Sequence, residues 1–125
     1  MSDALQRALF TALSGVGPAV YDGPPADAGF PYITIGPELV STISSKTETR
    51  REHRFAVTVW ATADAVSAVK PVMATIETAV LAMPALLDGW RLVTNDFLRS
   101  FTRADPARGL VSGTCEFRVR TEKII

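Results

Sequence analysis

The spacing of apolar residues switches three times along this chain, and no other feature restricts its fold so strongly. Leu5, Ala8, Leu9, Ala12 and Leu13 recur at the i, i+3, i+4, i+7, i+8 positions of one helical face. Ser2 stands as an N-cap and Gly15 as a stop, so a helix is predicted over about Asp3–Ser14. From "PYITI" the period becomes two, with Ile33 and Ile35 on one side and Tyr32 and Thr34 on the other. "EHRFAVTVWA" repeats it, Phe55, Val57 and Val59 opposing Arg54, Thr58 and Trp60. Val66, Val69, Met73, Ile76, Val80 and Met83 then return to intervals of three and four. Pro71 does not fit a helix interior, so the regular helix is expected to begin near Ser67 with Pro71 in its first turn. Two further strands close the chain, "WRLVTNDFLRSF" and "GLVSGTCEFRVRT"; in the second, Cys115, Phe117 and Val119 alternate with Glu116, Arg118 and Arg120.

Helix, strand pair, helix, strand pair is the pattern of an α+β fold. The expectation is a single domain, residues 1–125, with a mainly antiparallel sheet of about four to five strands and two helices packed on one face. "AVYD", Ala19 to Asp22, supplies a short extra strand. Residues 36–49, polar and without apolar period, read as a long loop or extended hairpin tip, and the stretch from about Val40 to Arg51 is expected to be mobile in the free subunit and to order on assembly. "LDG" and "TRADPARG" read as turns, and the proline-rich "YDGPPADAGFP" as a stiff connection.

A chain of 125 residues buries enough surface to form a core without disulfides, and its one cysteine fits a reducing, intracellular compartment. No basic leader precedes an apolar run and no stretch nears the length that spans a bilayer, which predicts a soluble protein. Thirteen basic residues balance thirteen acidic ones, disfavouring generic attraction to nucleic acid or anionic membrane.

The candidates for chemistry are few. His53, the sole histidine, stands among Arg51, Glu52 and Arg54 and reads as a surface residue at a charged strand entry rather than a general base. Cys115 is in phase with Phe117 and Val119 and reads as a core thiol. "SGVGPAV" lacks the strand, glycine loop and helix order of a phosphate cradle, and Asp22, Asp27 and Asp88 read as turn residues. One cysteine and one histidine cannot furnish a structural zinc site. Trp60 and Trp90 suit either core or interface. The basic run is "KTETRREHR"; its Lys46, Arg50, Arg51 and Arg54 are either a solvated turn or a contact surface.

The sequence "VYDGPPADAGFPYITIG", a Ser/Thr-rich stretch with "KT", then "REHRFAVTVW", "VKPVMATIETAV" and "DGWRLV" resembles, in that order, the tail completion or tail terminator family of tailed bacteriophages and gene transfer agents. The resemblance runs from about Ala4 to Thr121 and rests on order and spacing. It departs at Thr49 and Arg50, which precede "REH" where the family often has a glycine.

The resemblance implies a structural virion protein, not an enzyme, with no cofactor and no metal. It implies a homo-oligomeric ring, typically a hexamer, at the head-proximal end of the tail. There the ring ends polymerisation of the tail tube protein and meets a head–neck stopper or adaptor protein. DNA would be passing cargo only, no membrane would be involved, and the protein would move from the bacterial host cytoplasm during assembly into the particle. Lys46, Arg50, Arg51 and Arg54 would then contact a neighbouring ring or line the channel. Two alternatives remain at this stage: another neck component, such as a head-completion or adaptor protein, and a small ligand-binding or enzymatic α+β domain, which needs a pocket with convergent polar groups.

Overall fold

Helix α1 (Asp3–Ser14) starts where the Ser2 hydroxyl accepts a hydrogen bond from the Leu5 amide at 3.2 Å, and it ends at Gly15 as the sequence predicts. The structure is a computed structural model that describes residues 2–23, 25 and 27–124. After α1 come β1 (Ala19–Asp22), β2 (Tyr32–Thr42) and β3 (Arg50–Thr62). A 3-10 turn (Ala63–Ala68) leads into α2 (Val69–Leu81), followed by β4 (Leu86–Leu87), β5 (Trp90–Asp105) and β6 (Leu110–Lys123).

Among the described residues the strands form one six-stranded sheet in the order β1-β2-β3-β6-β5-β4. All neighbours are antiparallel except β1 and β2. The expected antiparallel sheet of four to five strands is therefore corrected to a mixed sheet of six. The segment from Gly23 to Pro31 returns the chain to the start of the sheet before β2, so β1 and β2 run the same way. The prolines of that segment include Pro24, which lies outside the described residues, as does Ala26. The Asp22 carboxylate accepts a hydrogen bond from Gln6 of α1 at 2.8 Å, which ties this end of β1 to the helix.

Both helices pack on one face of the sheet. Leu5, Leu9 and Leu13 of α1 and Val69, Met73, Ile76 and Val80 of α2 meet Ile33, Ile35, Val57, Val59, Cys115 and Val119, all buried. Burying each such aliphatic side chain contributes about 1.5–3 kcal/mol. Phe117 anchors the layer, with its ring 5.6 Å from Phe55 and 5.8 Å, edge-on, from Phe97. Pro71 lies in the first turn of α2, as predicted. Val66 leaves the predicted stripe: it belongs to the 3-10 turn and is 56% exposed. Where α2 crosses β6, a Cβ on Gly113 would stand 2.3 Å from Met73 Sδ and 2.6 Å from Val69 Cγ1. Only glycine lets the helix approach that closely.

The region 36–49 is also corrected. β2 continues through it to Thr42, pairing Glu38–Thr42 with Arg51–Phe55 after a bulge between Ile35 and Glu38. Gly36 takes φ +125° at the bulge. The remaining turn, residues 43–49, is closed by Ile43 N–H to Arg50 O at 3.1 Å and Ser45 N–H to Glu48 O at 3.0 Å. No apolar alternation marks this arm because neither of its faces is buried. At the other end, β5 runs on to Asp105, which confines the predicted "TRADPARG" turn to residues 106–109.

Candidate functional site

The alternation that sends Phe55, Val57 and Val59 to the helices sends Glu52, Arg54, Ala56, Thr58 and Trp60 to the opposite face. Cross-strand register places Glu116, Arg118, Arg120 and Glu122 of β6 and Arg91, Asp96, Arg99 and Phe101 of β5 beside them. No helix covers this face among the described residues.

One half of the face is a ladder of charge. Arg120 meets Glu52 at 3.1 Å, Arg118 meets Asp96 at 3.3 Å, and Arg99 meets Glu116 at 3.0 Å. Glu122 lies between Arg91 and Arg50, the latter at 3.8 Å, and Glu52 also meets Arg54 at 3.7 Å. The fork of Arg99 on Glu116 raises the pKa of that guanidinium above its ordinary value. Arg118 and Arg120, which alternate with apolar residues along β6, are thus neutralised by carboxylates of neighbouring strands.

The other half is aromatic and hydroxylic. Trp60 Nε1 donates to Thr34 Oγ1 at 3.0 Å, and the Tyr32 ring stacks 6.5 Å from Trp60. The Thr58 and Thr114 hydroxyls are 3.0 Å apart. Phe101 lies here too, with the guanidiniums of Arg99 and Arg103 5.6 and 5.5 Å from its ring centre. Thr58, Trp60, Phe101 and Thr114 floor an open groove of about 540 Å³ lined also by Leu39, Ala56, Leu98 and Leu110.

The predicted contact residues do not form one cluster. Lys46 is on the exposed turn, and Arg50 and Arg54 join the ladder on the open face. Arg50 also pairs with Glu48 at 2.8 Å. Arg51 points to the helix side and bonds Thr42 Oγ1 at 3.3 Å. The sequence reading missed the carboxylates that neutralise these arginines, because charge spacing within a strand does not reveal the register between strands.

His53 is corrected from surface to core. It follows the phase of Phe55 and Val57, is 2% exposed, and its Nε2 lies 3.0 Å from Thr121 Oγ1. Burial holds its pKa down at about 4, with Arg51 acting in the same direction and Glu38 against it. Cys115 is buried as predicted, its sulfur 3.8 Å from the Met73 carbonyl, and desolvation lifts its pKa to about 11. A thiol so placed stays protonated and unreactive. Among the described residues no three or more His, Cys, Asp or Glu side chains gather to hold a metal ion. Among the same residues no helix is long and apolar enough to cross a membrane.

What this arrangement offers is surface: one face open, with balanced charge at one end and aromatic rings at the other. A chain from a solved structure described as "Virion of native gene transfer agent (GTA) particle" superposes on this fold with a TM-score of 0.82. It is 31% identical, over 95% of this chain and 95% of that chain. No curated protein matches. The family model described as "Tail completion protein gp17" matches residues 3–122, which spans both helices and the whole sheet. The chain belongs to the tail completion protein gp17 family, a structural component of phage-type tails.

Proposed function

We propose that this protein assembles as a ring, a hexamer, at the head-proximal end of a phage-like tail tube. There it ends tube polymerisation and offers its free side to the head–neck stopper or adaptor protein. The observation that carries this reading is the likeness, along 95% of both chains, to a component of a gene transfer agent virion. The open face supports it: a sheet with one uncovered side suits a wall built from several copies. The role is structural rather than enzymatic, and the protein passes from host cytoplasm into the particle.

Lys46, Arg50, Arg51 and Arg54 contact an adjoining ring or line the channel in this reading. Arg50 and Arg54 share the open face, where their pairing with Glu122 and Glu52 leaves positive charge dispersed and weak. DNA then passes as cargo without being gripped. Deleting the gene should give tails of uncontrolled length or heads and tails that fail to join, scored by electron microscopy. Tails of normal length on joined particles would overturn the terminator role. The double variant Arg50→Glu, Arg51→Glu should reproduce the defect with a folded subunit; normal particles would remove these residues from the contact.

A further inference from the structure

We infer that the outer edge of β5 receives the outer edge of β2 from a second copy of this chain, so that the sheet continues from subunit to subunit. This rests on the ring reading and gives it a specific contact. β4 pairs only with Arg91 and Trp90 of β5. From Val93 to Asp105 no strand lies beyond β5 among the described residues. On the opposite side of the sheet β1 covers β2 only from Tyr32 to Ile35, leaving Glu38–Thr42 uncovered.

The direction of the main-chain groups follows from hydrogen bonds at the strand ends. Ile124 N–H donates to Gly89 O and Lys123 N–H to Thr49 O, so the even-numbered amides of β6 face β5. Their partners Phe101, Arg103 and Asp105 turn toward β6, and Ser100, Thr102 and Ala104 turn outward. Ile43 N–H donates to Arg50 O, so Val40 and Thr42 of β2 likewise turn outward. Each edge thus presents alternate free donors and acceptors, a template for another strand.

Strand order fixes the partner. From β2 to β5 the strands β2, β3, β6 and β5 each run opposite to the last, so β5 runs opposite to β2. A second copy set beyond β5 in the same orientation therefore offers an antiparallel strand. Side chains fit the same placement. Leu39, 62% exposed, is on the open face of β2, where it lines the β2 side of its own subunit's groove, and in the pair it would stand beside Phe101 and Leu98 on the neighbour's β5. Val40, on the helix side, would cover a second groove of about 440 Å³ between α2 and β5, lined by Met73, Ala74, Phe97 and Cys115. Pairing of β5 with another β5 would leave Leu39 and Val40 in water. A head-to-tail contact using two different edges closes into a ring when the rotation between successive copies returns to the first, as the ring reading requires.

The test exploits proline, which an edge strand accepts where its N–H faces outward. Thr102→Pro should spoil the β5 edge and Val40→Pro the β2 edge, each leaving the subunit folded by circular dichroism. Native mass spectrometry should find rings for the parent, monomers for each variant alone, and heterodimers but no rings for an equal mixture, since the mixture retains one good pair of edges. Dimers of Val40→Pro alone would overturn the pairing in favour of β5 with β5. Rings from either variant would overturn edge pairing while the ring reading stands; a parent that never rises above monomer would overturn both. Hydrogen exchange on the parent needs no variant: the Val40, Thr42, Ser100, Thr102 and Ala104 amides should slow at least tenfold in the ring, and unchanged exchange would overturn the proposal.

Discussion

The two faces of the sheet are written in the same strands yet held by different physics. On the helix side Val111, Cys115, Phe117, Val119 and Thr121 of β6 are buried under two helices, and stability comes from area removed from water. On the open side Thr114, Glu116, Arg118, Arg120 and Glu122 of the same strand are half-buried and held by partners across the strands. Pairs of that kind add little to folding in water. The covered face decides whether the subunit folds, and the open face adds little to that decision.

The sharpest way to break this contrast is Phe117→Ala. Removing a ring stacked on Phe55 and met edge-on by Phe97 should cost about 3–5 kcal/mol, read as a lower denaturant midpoint with unchanged slope. A loss below about 1 kcal/mol would mean the covered face does not dominate.

His53 gives the next largest effect, because it is a titratable group on the covered face. Its pKa is near 4 when folded and 6.5 when unfolded, so the folded state binds fewer protons between these values. Stability is complete above pH 6.5, falls as pH drops from 6.5 to about 4, and then levels, a change of about 3 kcal/mol. Subtracting the profile of His53→Gln should isolate this slope from the carboxylates. Parallel profiles would place His53 in water in the folded state.

The smallest effect belongs to the open face. Glu52→Gln, which leaves Arg54 and Arg120 without their shared carboxylate, should lower stability by at most about 1 kcal/mol in chemical denaturation. A loss as large as that of Phe117→Ala would erase the distinction between the faces.

The covered face was legible because burial imposes a period. Leu5, Leu9 and Leu13 announce α1, and Cys115, Phe117 and Val119 announce the inner side of β6. Where burial is absent, so is the signal. Leu39, Val40 and Thr42 sit in a regular strand, yet no period betrays it, since water lies on both sides. His53 was misread because its charged neighbours in sequence are not its neighbours in space; phase with Phe55 was the better guide. The open face was legible only as alternating charge. Which carboxylate meets which arginine depends on a register that two bulges in β5 shift by a residue each, and nothing local in the sequence marks those bulges.

The charge ladder also governs how this sequence can drift. Glu52 and Glu122 each serve two arginines, whereas Arg54, Arg91 and Arg120 each have a single carboxylate partner among the described ion pairs. An arginine lost by mutation leaves its carboxylate with another partner, so the arginines are free to be exchanged one at a time. Loss of Glu52 strands Arg54 and Arg120 at once, and loss of Glu122 strands Arg91 while Arg50 keeps Glu48. Across descendants of this chain, the glutamates should persist while the arginines around them come and go.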